Sequence, residues 1–391
     1  MHAARIWCSD TGWKNENKVL HRHALGRREA WADEAWVNDG AAVRVSMVCF
    51  GAAGGTPRLN GADVPRITAD LGGNADLDLT TATPLVENAG LAFQGPVKVG
   101  SFDIPGAQAR QWLALPNPHG RSNAEVLRPW ANGRDIAQRP TDTWIVDFGA
   151  TMGEQSAALY AAPFNHVRLT VKPQRDAQND RARRQTWWRH GRTGDDYRAA
   201  SSAIGRYIAT PRVAKHRYFV WLPVQVWPDS RLYAIARDDD FGFGVLSSRV
   251  HEVWSLANAS MHGDGDEGGR PTYNAKSCFE TFAFPVADPV QAEAIARAAK
   301  HLNDLRERWL NPPEWTRREP EVVPLGMPNS PYPDRILARD GFEVQLAQRT
   351  LTKLYNERPA WLAQAHEALD VAVAAAYELC QRRVEATWPC R

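Results

Sequence analysis

The sequence predicts a mixed α/β fold that is followed by a C-terminal helical region. Between about residues 106 and 285, short strand-like runs alternate with brief helical ones, which is typical of mixed α/β domains. From Asp288 onward, apolar residues instead recur at the spacing of amphipathic helices. With 391 residues, 43% of them hydrophobic and 24% charged, the chain is long enough for two or three domains with a buried core.

The N-terminal part contains one clear strand. Residues 1–29 are polar and basic without periodicity, so no structure is predicted for them. The stretch EAWADEAWVNDG at 29–40 is expected to be a turn-rich approach to AAVRVSMVCF at 41–50, an apolar run whose β-branched residues indicate a buried strand. The Gly-, Asp- and Thr-rich residues 51–105 predict turns and connections, so a linker or domain entry is expected there.

The middle region is predicted to contain five strand runs, which are TWIVDF, HVRLTV, YFVWLPVQVW, RLYAIA and FGVLSS. In WIVDFGATMG at 144–153, a strand, an acidic residue and glycines precede a helical stretch, and this order resembles a nucleotide-binding loop. Only Gly149 and Gly153 are available there, and their spacing is not GxGxxG. A strand-to-helix turn is therefore predicted instead of a cofactor loop.

Two amphipathic helices are predicted in the C-terminal region. At the start of the first helix, Asp288 can cap and Pro289 can occupy the first turn. The apolar stripe of this helix is Ile295, Ala299, Leu302, Leu305 and Trp309, and that of the second helix is Leu362, His366, Leu369, Val373 and Tyr377. Between them lies a Pro-rich connection at 311–333, where LNPPEW predicts a proline stop at the end of the first helix.

Composition and motifs argue against several classes of function. The five cysteines are scattered without a CxxC pair, which favours a reducing compartment and speaks against a zinc site. No segment has the pattern of a signal peptide or a membrane span, so a cytoplasmic protein without a membrane partner is expected. The loops HGDGDEGG, with Asp264 and Asp266, and RDDDFG at 237–242 lack the spacing of metal sites. No catalytic, cofactor-binding or metal-binding residue is predicted.

One region differs from the rest of the chain in its charge. Between residues 168 and 217 there are eleven Arg and two Lys against four Asp and no Glu, a local charge of +9 in a chain of net charge +2. RARRQTWWRHGR interleaves these cations with tryptophans, and TPRVAKHRYF follows it. Arginine forks match phosphates and guanine edges, and aromatic rings contact bases or sugars. The pattern predicts a nucleic-acid surface, with a solvated basic face around structural tryptophans as the alternative.

Several stretches together resemble the C-terminal half of the MmeI-like, type IIG adenine-specific DNA methyltransferases of restriction-modification systems. They are EAWADEAWVNDGAAVRVSMVCFG, NPHGRSNAEVLRPWANGRDI, TDTWIVDFG, YIATPRVAKHRYFVWL, FGVLSSRVHEVWSL, CFETFAFP, LRERWLNPPEW and RTLTKLYNERPAWLAQAHEALDVAVAAAY. Their order and spacing agree from about Glu29 to Tyr377. The resemblance implies a remnant strand of a methyltransferase sheet within residues 1–50, a mixed-sheet target recognition domain at 51–285 and a C-terminal helical bundle at 286–391.

The same resemblance implies a function and its partners. The target recognition domain of this family reads bases in the major groove of double-stranded DNA, which is the expected partner. The family's S-adenosylmethionine loop and Asn-Pro-Pro-aromatic loop would lie upstream of the residues present here. The chain is therefore expected to bind no cofactor and to be inactive alone, and whether a separate methyltransferase chain supplies catalysis stays open. Two alternatives stay open: an active S-adenosylmethionine-dependent methyltransferase with an unrecognised cofactor site, and a non-functional remnant.

Candidate DNA-binding residues come from two sources. Charge and aromatic interleaving select Arg183, Arg184, Trp187, Trp188, Arg189 and Arg192. The resemblance, through VAKHRYF and LSSRVHEVW, implies DNA-facing roles for Lys215, His216, Arg217, Ser247, Ser248, Arg249 and His251. For Trp221, Trp227 and Trp254, a place in the hydrophobic core is at least as well supported as a DNA contact.

Overall fold

The computed structural model describes residues 5–9, 25–38, 41–52, 55–68, 71–73, 82–262 and 270–377. The chain divides into an N-terminal unit, residues 1–83 with 260–270, and a main unit, residues 84–259 with 271–391. Several mixed and antiparallel sheets and multiple helices confirm the predicted mixed α/β fold class. These two units differ from the three segments 1–50, 51–285 and 286–391 that the resemblance implied. The functional assignment of those three segments stays a prediction.

A five-stranded sheet forms most of the described N-terminal unit. Its strands are β1 (Arg5–Ser9), β2 (Leu25–Asn38), β3 (Ala41–Ala52), β4 (Arg58–Leu59) and β5 (Ala62–Asp63), in the order β1-β3-β2-β4-β5. The strand predicted at 41–50 is confirmed as β3. The turn-rich approach predicted before it is wrong, because β2 pairs antiparallel with β3. This pairing satisfies the backbone groups of β2, and Glu29 and Glu34 remain partly exposed, so their charges do not oppose the strand.

The main unit is built around two four-stranded sheets. Its strands are β6 (Ala92–Gln94), β7 (Asp103–Pro105), β8 (Leu127–Ala131), β9 (Thr143–Val146), β10 (Arg206–Pro211), β11 (Val220–Pro223), β12 (Trp227–Pro228) and β13 (Leu232–Ile235). One sheet, β11-β10-β13-β6, is antiparallel, and the other, β12-β8-β9-β7, is mixed because β12 runs parallel to β8. A two-stranded sheet of the main unit is formed by β16 (Thr316–Glu319) with β17 (Arg335–Ala338). β14 (Ser260–His262), which belongs to the N-terminal unit, pairs with β15 (Arg270–Thr272).

The helices of the described residues all belong to the main unit. They are α1 (Gly106–Leu113), α2 (Gly133–Ala137), α3 (Glu154–Ala157), α4 (Ala161–Thr170), α5 (Lys172–Asp176), α6 (Arg181–Gln185), α7 (Asp195–Ser201), α8 (Asp240–Ser247), α9 (Arg249–Ala257), α10 (Pro289–Leu310), α11 (Glu343–Ala347), α12 (Leu351–Glu357) and α13 (Ala360–Ala376). Short 3-10 turns lie at Val86–Asn88 and Asn123–Glu125, and a π-helical turn lies at Ala275–Phe279.

Three of the five strands predicted in the middle region are confirmed, as β9, β13 and the pair β11 and β12. HVRLTV and FGVLSS are instead helical and belong to α4 and α8. In the second case, Asp239 caps the helix by accepting a hydrogen bond from Gly242 N at 2.6 Å. Gly244 allows α8 to approach α10 closely, since a Cβ atom there would lie only 2.8 Å from the Ile295 side chain. A short apolar run buried on all sides does not distinguish a strand from a helix.

The two predicted C-terminal helices are confirmed as α10 and α13. Asp288 and Gln291 form a capping box at the start of α10, and the helix ends at Leu310, directly before the proline stop. Of the predicted stripes, the residues buried in the core are Ile295, Ala299, Leu302, Leu362, Leu369 and Val373. The same hydrophobic core includes the inner residues of both four-stranded sheets. The C-terminal helices therefore complete the core of the main unit.

Within the described ranges, none of the helices combines the length and the apolar character that crossing a membrane requires.

Candidate nucleic-acid interface

A buried carboxylate lies at the end of β9, in the motif WIVDFG. Asp147 is 4% exposed, and its oxygens accept hydrogen bonds from Arg198 Nη2 at 2.6 and 2.8 Å and from Gly149 N at 3.1 Å. Gly149 has a φ of 68°, a conformation that glycine adopts without steric cost. The chain then turns into α3. The predicted strand-to-helix turn is therefore present, and its acidic residue is a counter-charge inside the protein.

Two arginines share this carboxylate and a tryptophan ring. Arg128 Nε lies 3.7 Å from Asp147 Oδ2. The guanidinium carbons of Arg198 and Arg128 lie 4.0 and 5.4 Å from the centroid of the buried Trp227 ring, so this tryptophan is a core residue. Burial by itself raises the pKa of Asp147, but its interactions with His190, Arg198 and Arg128 hold that pKa below its ordinary value. The ion pair fixes Arg198, and with it α7, to the end of β9.

The tryptophans of the basic segment anchor it to the main core. Trp187 and Trp188 are 4% and 7% exposed, and both rings pack in the core. Their predicted contact with nucleic acid is thus corrected, because rings enclosed by protein have no free face on which a base can stack. The arginines beside them remain at the surface. Arg184 is exposed, and its Nη1 donates to Gln178 O at 3.2 Å.

One backbone carbonyl holds the end of this segment. Met152 O accepts hydrogen bonds from Trp188 Nε1 at 2.9 Å and from Arg189 Nε and Nη2 at 3.0 and 2.8 Å. Farther along, Arg192 exchanges backbone hydrogen bonds with Val97, and its side chain is exposed. A carbonyl orients the guanidinium of Arg189 without neutralising its charge. The segment is therefore fixed in place, while the charges of Arg184, Arg189 and Arg192 have no carboxylate partner among the described residues.

Carboxylates neutralise only part of the 168–217 stretch. The ion pairs there include Lys172–Asp176, Arg183–Asp180, Arg206–Asp240, and Arg198 with both Asp147 and Asp195. Six further arginines reach solvent and have no carboxylate partner among the described residues, namely Arg168, Arg181, Arg184, Arg189, Arg192 and Arg212. Arg168, Arg181 and Arg212 were not selected from the sequence. The spacing of a helix could have separated paired from unpaired arginines in the sequence. Asp180 pairs with Arg183 three residues later, and this leaves Arg181 and Arg184 without that carboxylate.

The two motifs assigned through the resemblance meet at Tyr273. The guanidinium carbon of Arg217 lies 5.0 Å from the Tyr273 ring centroid, and its Nη1 donates to Thr210 Oγ1 at 2.9 Å. His251 is fully buried, with Nε2 3.0 Å from the Tyr273 hydroxyl oxygen. Burial lowers the pKa of Arg217, and burial beside Arg217 lowers the pKa of His251 to about 3. His251 is buried, and the partly exposed Arg217 donates its guanidinium hydrogens to Thr210, Pro211 and Pro271. The expected DNA-facing roles of these side chains are therefore corrected.

The serines before α9 are also internal. Ser248 is buried and donates from Oγ to Val245 O at 2.7 Å, and the Oγ atom of Ser247 is buried as well. Neither hydroxyl is available at the surface, which corrects the roles expected for them. Arg249 is exposed, its Nη1 donates to Glu252 at 2.6 Å, and its backbone N donates to Asp370 Oδ1 of α13 at 2.7 Å.

The loop between β10 and β11 carries the remaining candidates. Lys215 is exposed, and His216 is partly exposed with Nε2 2.8 Å from Asn356 Oδ1 of α12. Lys215 and Arg249 thus retain solvent-facing side chains, as a DNA contact requires. The role of these two residues in DNA binding stays a prediction.

Acidic and histidine side chains do not form a metal centre in the described part of the chain. No group of three or more His, Cys, Asp or Glu residues there is placed to hold an ion. The loop with Asp264 and Asp266 lies outside the described residues. In RDDDFG, Asp239 caps α8 and pairs with Arg237 at 2.8 Å, and Asp240 pairs with Arg206 at 2.9 Å. These two carboxylates have structural partners.

The main unit is a mixed α/β structure in which the sheets and the C-terminal helices share one hydrophobic core. The 168–217 stretch, which packs on this core through its tryptophans, presents arginines at the surface. No protein-family model and no curated protein matches the sequence. A solved structure, the Type IIL restriction-modification enzyme MmeI in complex with DNA, is similar to this chain with a TM-score of 0.61 and 18% sequence identity. The match covers 91% of this chain and 43% of that chain. The chain therefore shares a fold with that enzyme and spans less than half of its length.

Proposed function

We propose that this chain binds double-stranded DNA as the target recognition part of an adenine-specific DNA methyltransferase in a restriction-modification system. The observation that carries the proposal is the set of six solvent-reaching arginines without carboxylate partners in the described stretch from 168 to 217. The shared fold with a restriction-modification enzyme that was solved in complex with DNA supports it.

The energetic argument rests on charge that the protein does not neutralise itself. Neighbouring like charges repel one another, so a set of unpaired guanidinium groups favours an anionic partner. When an exposed guanidinium without a carboxylate neutralises a DNA phosphate, the counterions bound to that phosphate are released. Trp187, Trp188 and the Met152 carbonyl hold the segment in one place. Less conformational freedom is then lost when a polyanion binds. Phosphate contacts supply affinity and register, and a few side chains at base edges supply specificity.

In this proposal, the chain recognises DNA and does not transfer the methyl group. Isothermal titration of the purified protein with S-adenosylmethionine is expected to give no heat of binding. Saturable heat at a stoichiometry near one would instead support an active methyltransferase with a cofactor site of its own.

The first prediction concerns a triple variant, R181Q/R184Q/R192Q. These side chains are exposed, and their replacement breaks no ion pair of the described residues. Arg183 and Arg189 are less suitable, because Asp180 and Met152 hold them. Affinity for a random-sequence duplex should fall on the order of tenfold at moderate salt, and the slope of log K against log salt should become shallower by roughly 1 for each phosphate that is no longer neutralised. Fluorescence anisotropy over a salt series measures both quantities.

A matched control separates a local surface from bulk charge. The variant R297Q/R308Q/R318Q removes the same charge from exposed positions on α10 and β16. It should bind duplex DNA with nearly the wild-type slope. Equal losses of affinity in the two triple variants, or a wild-type protein whose binding is insensitive to salt, would overturn the proposed function.

A further inference from the structure

Three arginines from distant parts of the sequence converge beyond the ends of the two four-stranded sheets. They are Arg134 in the first turn of α2, Arg212 after β10 and Arg231 before β13. Arg212 N donates to Arg231 O at 2.7 Å. A Cβ atom at Gly133 would lie 3.5 Å from Arg231 O and 3.6 Å from Pro211 Cβ. The three backbone segments are thus in direct contact.

The place of this three-arginine cluster is fixed by both sheets. Asp229 N donates to Ala131 O at 2.7 Å, which ties the turn before β13 to the end of β8. Asn132 and Asp135 form a capping box that holds the start of α2. The backbone positions that carry the three arginines are therefore held by hydrogen bonds between ordered elements.

The charges of the cluster point to an external anion. Arg134 and Arg212 are exposed and have no carboxylate partner among the described residues, and the side chain of Arg231 is 77% exposed. The neighbouring acids face inward. Asp135 accepts from Asn132 N, Thr141 N and Thr141 Oγ1, and Asp229 accepts from Arg231 N. Asp229 Oδ1 also lies 3.9 Å from Arg231 Nε, at the edge of ion-pair distance.

We propose that Arg134, Arg212 and Arg231 form a second phosphate-binding patch, which contacts the backbone of duplex DNA outside the segment that contains α6. Fixing three like charges next to one another costs free energy in water, and a polyanion offsets this cost. The inference rests on the proposed function. Two of the three residues lie outside the 168–217 stretch, so the patch extends the interface to α2 and to the turn before β13.

The contact proposed here is electrostatic, and it differs from base reading in one testable way. A phosphate accepts lysine or arginine as a positive charge, whereas guanine recognition needs the planar fork of arginine. The triple variant R134K/R212K/R231K should therefore keep the salt slope of the wild type. R134Q/R212Q/R231Q should make the slope shallower by about 2 to 3, because each neutralised phosphate contributes about 0.9 to it.

The experiment measures duplex binding of wild type, both variants of the cluster and R297Q/R308Q/R318Q over one salt series. Circular dichroism melts of each protein confirm folding. A shallower slope for the Gln variant alone supports the patch. A wild-type slope for the Gln variant overturns the patch but leaves the proposed function intact, as long as R181Q/R184Q/R192Q still weakens binding. Loss of binding in the Lys variant with an unchanged slope would reassign these residues to base reading, and absence of wild-type duplex binding overturns both proposals.

Discussion

At the scale of single residues, Asp147 connects the sheet to the basic surface. It lies at the end of β9 and pairs with Arg198 of α7, 51 residues later in the chain. Arg128 is near the same carboxylate, and both guanidinium groups lie against Trp227. A buried carboxylate between two partly buried arginines is stable because each charge has a partner, and removal of one partner leaves the others uncompensated.

The second prediction follows for the variant D147N. Asparagine keeps the size of the side chain but leaves Arg198 and Arg128 without a buried counter-charge. The free energy of unfolding should fall by about 2–4 kcal/mol, since breaking a buried pair by removing one partner is strongly destabilising. Urea denaturation measures this decrease. D176N, which breaks the exposed pair with Lys172, is the control and should cost less than about 1 kcal/mol; equal costs would contradict the role of Asp147.

At the scale of elements, α13 supplies a cap that α9 lacks. Ser248 precedes α9, but its hydroxyl is turned to Val245 O and makes no capping hydrogen bond. Asp370 Oδ1 instead accepts from Arg249 N in the first turn of α9. A carboxylate at this end of a helix satisfies an unpaired N–H and interacts favourably with the helix dipole. Burial, and to a lesser extent Glu252, raise the pKa of Asp370 to about 6, although Arg249 and Arg358 oppose that rise.

The third prediction concerns D370N, which keeps an oxygen acceptor and removes the charge. The folded-state pKa of Asp370 lies above the ordinary value, so this carboxyl contributes stability that is lost as pH rises from about 4 through about 6. The variant should match the wild type near pH 4 and be more stable above pH 7 by about 1–3 kcal/mol. Urea denaturation at several pH values tests this. D370A also removes the acceptor and should be less stable than D370N at every pH, whereas identical behaviour of the two would argue against the interhelical cap.

At the scale of the whole molecule, the core of the main unit contains neutral histidines. Burial lowers the pKa of His251 and of His366 to about 3, with help from Arg217 and Arg306 respectively. His251 forms a hydrogen bond with the Tyr273 hydroxyl, and His366 forms one with the Tyr355 hydroxyl. Protonation would place a positively charged imidazolium beside Arg217 or Arg306, and these like charges would repel one another. Acid should therefore unfold the protein by charging the two histidines.

The fourth prediction is a fall in stability as pH decreases from about 6.5 toward 3. In this range the unfolded state binds protons that the folded state excludes, and each histidine contributes about 1.4 kcal/mol per pH unit. The double variant H251Q/H366Q should therefore lose stability less steeply, by about 3 kcal/mol per pH unit. Urea denaturation between pH 7 and pH 5 compares the two slopes. Parallel curves for both proteins would show that the histidines titrate normally.

The sequence by itself determined the mixed α/β class, the capped start of α10, the stripes of α10 and α13, and the excess of positive charge between 168 and 217. These features are local, because caps, helical periodicity and charge depend on residues a few positions apart. Only the tertiary structure decided which charged side chains and aromatic rings remain at the surface, where a partner could contact them. Asp147 and Arg198, Arg217 and Tyr273, and Arg212 and Arg231 meet across long separations in sequence. Burial in a shared core turned Trp187, Trp188 and His251 inward, since packing depends on contacts that no short segment contains.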